Sequence, residues 1–175
     1  MSESPEATLL RLCRLLSKHG VEYLIVGGAA VAIYGHYRMS LLPSGEASDK
    51  YDFDFWYNPT YANYYRLLEA LGEFGIDVTK YKNEQEPNPR KSFFKHGLED
   101  FTLDFLPEIL GPGRFADSFR RKSVSTLEGV EIYTVALSDL ILSKQATNRE
   151  KDRQDIAALQ ALHKPYDADT PLPNS

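Results

Sequence analysis

Asp52 and Asp54, in the run Tyr51-Asp52-Phe53-Asp54-Phe55-Trp56, are the residues of this 175-residue chain whose type and spacing point most directly to chemistry. Side chains alternate along a strand, so the two carboxylates share one face while Phe53 and Phe55 take the other. Like charges set side by side repel, and stability alone does not favour the arrangement unless a cation lies between them. A second run, Phe101-Thr102-Leu103-Asp104-Phe105, repeats the logic, with Asp104 out of phase with the apolar residues. If the two strands are neighbours, Asp104 becomes a third oxygen ligand. Three carboxylates without nitrogen or sulfur suit a hard cation, Mg²⁺ or Mn²⁺, whose shell phosphate oxygens and water complete. Two such ions activate an attacking oxygen and stabilise a leaving phosphate. An Asp-x-Asp pair by itself also occurs on solvated strands, so the company it keeps matters.

Two further features keep that company. Gly27-Gly28 follows a short apolar run and precedes a helix, an arrangement that lets an anion approach the backbone N–H groups; a plain strand-to-helix turn has the same appearance. No Gly-Lys-Ser/Thr follows, and the pattern is not G-x-G-x-x-G. Late in the chain, the helical stripe Leu137, Leu140, Ile141 continues to Lys144, and the next stripe runs Asp152, Asp155, Ile156, Leu159. Charges on core-facing stripes must be paired or open to a polar cleft. They are read either as a buried cluster of Lys144 or Arg149 with Asp152 and Asp155, or as a lysine aimed at a triphosphate.

The elements that must position these groups follow from periodicity. Leu9, Leu12, Cys13 and Leu16 give a first helix stopped by Gly20, and place Cys13 in the core. A strand is expected over Val21–Val26, a helix over Ala29–Tyr37, and a turn-rich loop over Met39–Lys50. A strand over Tyr51–Tyr57 leads to a helix over Thr60–Phe74 with Thr60 as its cap. After a polar connection at Glu84–Pro89 come a strand at Phe101–Leu106 and a hairpin of Ser123–Leu127 with Val130–Val135. Helices at Ser138–Thr147 and Lys151–His163 close the unit. The fold class is mixed α/β (α+β), a small mixed sheet flanked by helices, with one domain over 1–163 and a tail over 164–175.

Composition bounds the rest. Lys plus Arg number 20 against 25 Asp plus Glu, a net charge of −5, which disfavours a general nucleic-acid coat or a polybasic membrane binder. The basic clusters Arg114–Arg120–Arg121–Lys122 and Arg149–Lys151–Arg153 leave local RNA contact open. The single cysteine forbids an internal disulfide or a cysteine zinc site. No apolar run approaches a membrane span, and the acidic N-terminus is unlike a secretory leader, so a cytoplasmic location is expected.

Taken together, VGGAAVAIYGHYR (26–38), DFDFW (52–56), TLDFL (102–106) and DLILSKQATNREKDRQDIAAL (139–159) resemble a minimal nucleotidyltransferase of the DNA polymerase beta superfamily, in particular the bacterial abortive-infection and toxin–antitoxin nucleotidyltransferases. The resemblance spans roughly residues 20–162. It implies an NTP substrate held through Gly27, Gly28, Arg38 and Lys144, and metals on Asp52, Asp54 and Asp104, with Asp104 the candidate base. It also implies an acceptor hydroxyl on tRNA, a protein or a small molecule, and a cognate antitoxin as a candidate partner. The chain departs from the pattern in the insertion Met39–Lys50, which separates Arg38 from the acidic pair. Other readings are an inactive module that binds a nucleotide or partner with the same fold, and a carboxylate-metal phosphohydrolase, which lacks a histidine partner.

Overall fold

The computed structural model describes residues 3–35, 51–98 and 101–163. Arg38, the loop 39–50 and the tail 164–175 lie outside the described residues. The elements run α1 (Pro5–Lys18), β1 (Tyr23–Val26), α2 (Gly27–Ile33), β2 (Tyr51–Tyr57), α3 (Tyr61–Phe74), α4 (Thr79–Lys82), β3 (Phe94–Gly97), β4 (Phe101–Leu106), α5 (Phe115–Arg120), β5 (Ser123–Leu127), β6 (Val130–Thr134), α6 (Leu137–Thr147) and α7 (Glu150–Leu162). The strands form one mixed sheet in the order β3-β4-β2-β1-β6-β5. β2 runs parallel to β4, and β1 parallel to β6; the other neighbours are antiparallel.

The aromatic face of the sheet sets the register. Phe53 lies beside Leu103 and Phe55 beside Phe105, and the Phe55 and Phe105 rings stack with centroids 4.8 Å apart. Tyr64 of α3 meets Phe94 of β3 on this face, and α1 packs against α3 and β6. Phe53, Phe55, Leu103 and Phe105 are all buried with Leu12, Leu16, Leu67 and Leu71. A slip of one residue between β2 and β4 would turn every one of these rings to the other face, so burial fixes the pairing strongly. The opposite face carries the carboxylates, with α2 packed on β1 and β2 and α6 behind it.

Local chemistry supports the elements. Ser4 caps α1 by accepting the Ala7 N–H at 3.1 Å, and Thr60 caps α3 through the Asn63 N–H at 3.3 Å. Asn63, buried in the first turn of α3, accepts from Glu22 N at 2.7 Å and donates to Glu22 O and Asn58 O, tying α3 to the start of β1 and the end of β2. Three expectations needed correction. The second helix starts at Gly27, two residues before the predicted Ala29, and is helical only to Ile33. β1 is shorter than Val21–Val26. The short elements α4, β3 and α5 were not expected from periodicity.

Candidate active site

The β2–β4 register places Asp54 directly beside Asp104, and Asp52 beside Thr102. The Asp54 and Asp104 carboxyl groups act on one another in the sense that favours the proton on Asp54. Burial is the largest influence on Asp54 and the charges of Asp104 and Asp52 add to it, pushing its carboxyl up to about 7; the Lys144 ammonium acts in the opposite sense. Asp104 is also raised, first by burial and then by Asp52, against the pull of Lys95. Two carboxylates facing one another in register cannot both ionise cheaply. Asp104 Oδ1 is buried and has no hydrogen-bond partner.

Asp52 is turned aside. Its Oδ1 accepts a short hydrogen bond from the Thr102 hydroxyl, and its side chain is exposed. Accordingly, among the described residues no group of three or more His, Cys, Asp or Glu side chains is arranged to hold a metal ion. The donor chemistry nevertheless fits a hard divalent cation. Two carboxylates lie side by side in register, one buried oxygen is unpartnered, and a third carboxylate lies on the same strand face.

The glycine turn abuts this pair. Val26, the last residue of β1, is the register partner of Asp54, so Gly27 follows at the edge of the carboxylates. Gly27 has φ +63°, and a β-carbon there would overlap Asp54 Oδ2. Only glycine meets both conditions. Gly28 is exposed, with open space where its β-carbon would be, and no side chain caps α2.

Lys144 is almost fully buried, and its ammonium lies 3.1 Å from Asp155 and 3.4 Å from Asp152. Of the two readings of the charged stripes, the structure takes the buried cluster joining α6 to α7. Burial alone would raise Asp152, but the Arg149 side chain and N–H, Thr147 and Lys144 outweigh it and hold this carboxyl well below the usual range. Lys144 therefore reaches the acid pair by its field rather than by pointing into open solvent. Arg38 lies outside the described residues.

Sequence reasoning missed Lys95, which faces Asp104 across the β3–β4 ladder. The alternation of Phe94-Lys95-His96-Gly97 was the available signal, but four residues are too few to stand out. Arg121, read from the sequence as part of a basic cluster, instead grips the buried Asp139 with two bonds of 3.1 Å at the start of α6.

The whole fold matches a known one. The crystal structure of lincosamide antibiotic adenylyltransferase LnuA, lincomycin-bound, superposes with a TM-score of 0.56 at 17% identity, over 93% of this chain and 100% of that chain. The fold is that of a minimal nucleotidyltransferase. Residues 114–170 also match the family model described as Nucleotidyltransferase of unknown function (DUF6036). A weaker likeness, at TM-score 0.48 and 14% identity over 90% of this chain and 76% of the other, is to an antigenic nucleotidyltransferase-like protein from Paracoccidioides brasiliensis. No curated protein matches the chain significantly in sequence. In this nucleotidyltransferase fold the acid pair sits on two central, parallel strands, beside the glycine turn. No helix among the described residues is long and apolar enough to cross a membrane.

Proposed function

We propose that the protein transfers a nucleoside monophosphate from an NTP to an acceptor hydroxyl, releasing pyrophosphate. The observation that carries the reading is the in-register acid pair Asp54 and Asp104, beside a turn that only Gly27 can make.

Asp52, Asp54 and Asp104 would hold divalent Mg²⁺ or Mn²⁺, which supplies charge neutralisation for the phosphates and a lower pKa for the attacking hydroxyl. To hold it, Asp54 would have to be ionised and Asp52 would have to turn from the Thr102 hydroxyl. The uncapped N–H groups at Gly27 and Gly28 orient the phosphates. Asp104 takes the acceptor's proton as the hydroxyl oxygen bonds to the α-phosphorus and the bond to the bridging oxygen of the pyrophosphate breaks. Lys144, held by Asp152 and Asp155, adds a fixed positive field that favours ionised Asp54. Arg38 remains a proposed phosphate contact.

A small-molecule hydroxyl is the favoured acceptor. The basic clusters that could grip tRNA are largely neutralised within the chain: Arg114 and Arg120 pair with Asp117, Arg121 with Asp139, Arg149 with Asp152, and Arg153 with Glu150. LnuA, which shares this fold, is a lincosamide antibiotic adenylyltransferase, and a lincosamide belongs to the same class of acceptor. One observation favours a second reading, a nucleotide-binding module without catalysis: Asp52 is engaged by Thr102, leaving two carboxylates in place.

The deciding experiment incubates the protein with each α-labelled NTP, Mg²⁺ or Mn²⁺, and in separate arms a small-molecule cell extract, total tRNA or total protein. Label moving into the small-molecule fraction, and lost in Asp104→Asn, is the expected result. Label moving into tRNA reassigns the acceptor, and binding without transfer in every arm establishes the module.

A further inference from the structure

The two edges of the sheet are built differently. β3 is four residues long and carries the charged Lys95, which discourages another strand from adding to it. β5, Ser123-Val124-Ser125-Thr126-Leu127, has no charge and no proline, and all five residues are exposed, Val124 and Leu127 by about half. Such an edge invites a further strand.

We propose that β5 pairs antiparallel with β5 of a second copy of this chain, joining two six-stranded sheets into one. The two-residue turn Glu128-Gly129, with φ of 49° and 76°, makes Leu127 and Val130 the closing pair of the hairpin. By alternation Leu127, Ser125 and Ser123 direct their main-chain groups to β6, and Val124 and Thr126 turn theirs outward. Antiparallel pairing must therefore match outward residues with outward residues. The alignment that overlaps the whole strand sets Ser125 on a twofold axis and exchanges Val124 with Thr126 of the second copy.

That same alignment brings Lys122 opposite Glu128 of the second copy, and Glu128 opposite its Lys122. The flanks of an uncharged strand are thus oppositely charged in the one register that buries it fully, which argues for a like copy as occupant. Lys122 already lies on the corresponding face, over the Phe119 and Tyr133 rings at 4.0 and 5.2 Å.

The test is sedimentation of the full chain at micromolar concentrations, with cysteine cross-linking to read the register. Twice the 19.8 kDa mass is expected. Ser125 meets itself across the axis in a non-hydrogen-bonded pair, with Cα atoms about 4.5 Å apart, inside the range a disulfide spans. Ser125→Cys therefore cross-links two copies under mild oxidation, and Ser123→Cys, opposite Leu127, does not; the native Cys13 is buried and gives no background. Glu128→Lys weakens dimerisation about tenfold or more, and Lys122→Glu with Glu128→Lys restores it. A wild type that stays monomeric at every concentration overturns the proposal. So does a dimer in which Ser123→Cys and Ser125→Cys cross-link equally.

Discussion

Gly27 stands against Asp54 so closely that a β-carbon on the glycine would overlap Oδ2 of the aspartate, while its own φ of +63° lies in the left-handed region. The turn and the acid are thus one construction, and each limits what the other can be.

Gly27→Ala meets both penalties. The left-handed backbone costs about 1–2 kcal/mol for a residue with a β-carbon, and displacing the Asp54 carboxylate adds to it. The melting temperature is expected to fall by about 4 °C or more. Gly28→Ala, with open space at that position, leaves the melting temperature nearly unchanged but weakens NTP binding in a fluorescence titration. Equal melting temperatures for both variants would refute the close approach.

Neutralising either member of the acid pair separates stability from function. Asp54→Asn or Asp104→Asn removes mutual repulsion of two half-buried carboxylates, so each variant should melt higher than the wild type at pH 8 without metal. Transfer activity should fall at least about a hundredfold, the scale on which lost electrostatic stabilisation is felt. Calorimetry and the labelled-NTP assay read the two effects side by side.

The pH dependence has a definite sign. Asp54 is raised from 3.8 to about 7, so the folded protein binds a proton that the unfolded chain has already released between those values. Its contribution to stability is complete below about pH 4 and is lost as the pH rises through about 7. Without metal, the melting temperature due to this group falls from pH 5 to pH 8. Divalent metal binding needs the ionised pair and releases the proton, so Mn²⁺ affinity, measured by calorimetry, rises over the same interval and then levels off.

Lys144→Met leaves the fully buried Asp152 and Asp155 without their shared ammonium. Breaking a buried ion cluster by removing one partner typically costs about 3–5 kcal/mol, read as a large drop in the denaturation midpoint. In protein that still folds, loss of the positive field moves Asp54 further up. The Mn²⁺-affinity curve then shifts to higher pH, a change that a purely structural lysine would not produce.

Much of this was legible from alternation. The runs 51–57 and 101–106 marked both strands with their bounds, because aromatic and acidic residues alternate over 51–55 and 101–105, Trp56 being the ring that falls on the acidic face. Their adjacency was not legible, since pairing between strands so far apart in sequence is decided by packing. Lys144 and the two late aspartates were conspicuous as charges on apolar stripes, but which partner they found depended on how α6 and α7 pack together. The diversion of Asp52 by Thr102 could not be anticipated, because it follows from the β2–β4 register. β3 and α5 escaped because they are held by neighbours more than by their own pattern: Phe94 by Tyr64 and Tyr81, Phe115 by Trp56.

The parallel pairing of β2 with β4 has a consequence for the order of events during synthesis. Parallel neighbours cannot be joined by a tight turn, and here α3, α4 and β3 are made in between. A nascent chain that has emerged only as far as β3 displays Asp52 and Asp54 on a strand with a missing neighbour. The juxtaposition is a contact of high contact order, and the loop-closure entropy has to be met as β4 docks. The Asp54–Asp104 pair therefore forms only when Phe101–Leu106 docks, whereas the contact of Gly27 with Asp54 needs only β1 and β2.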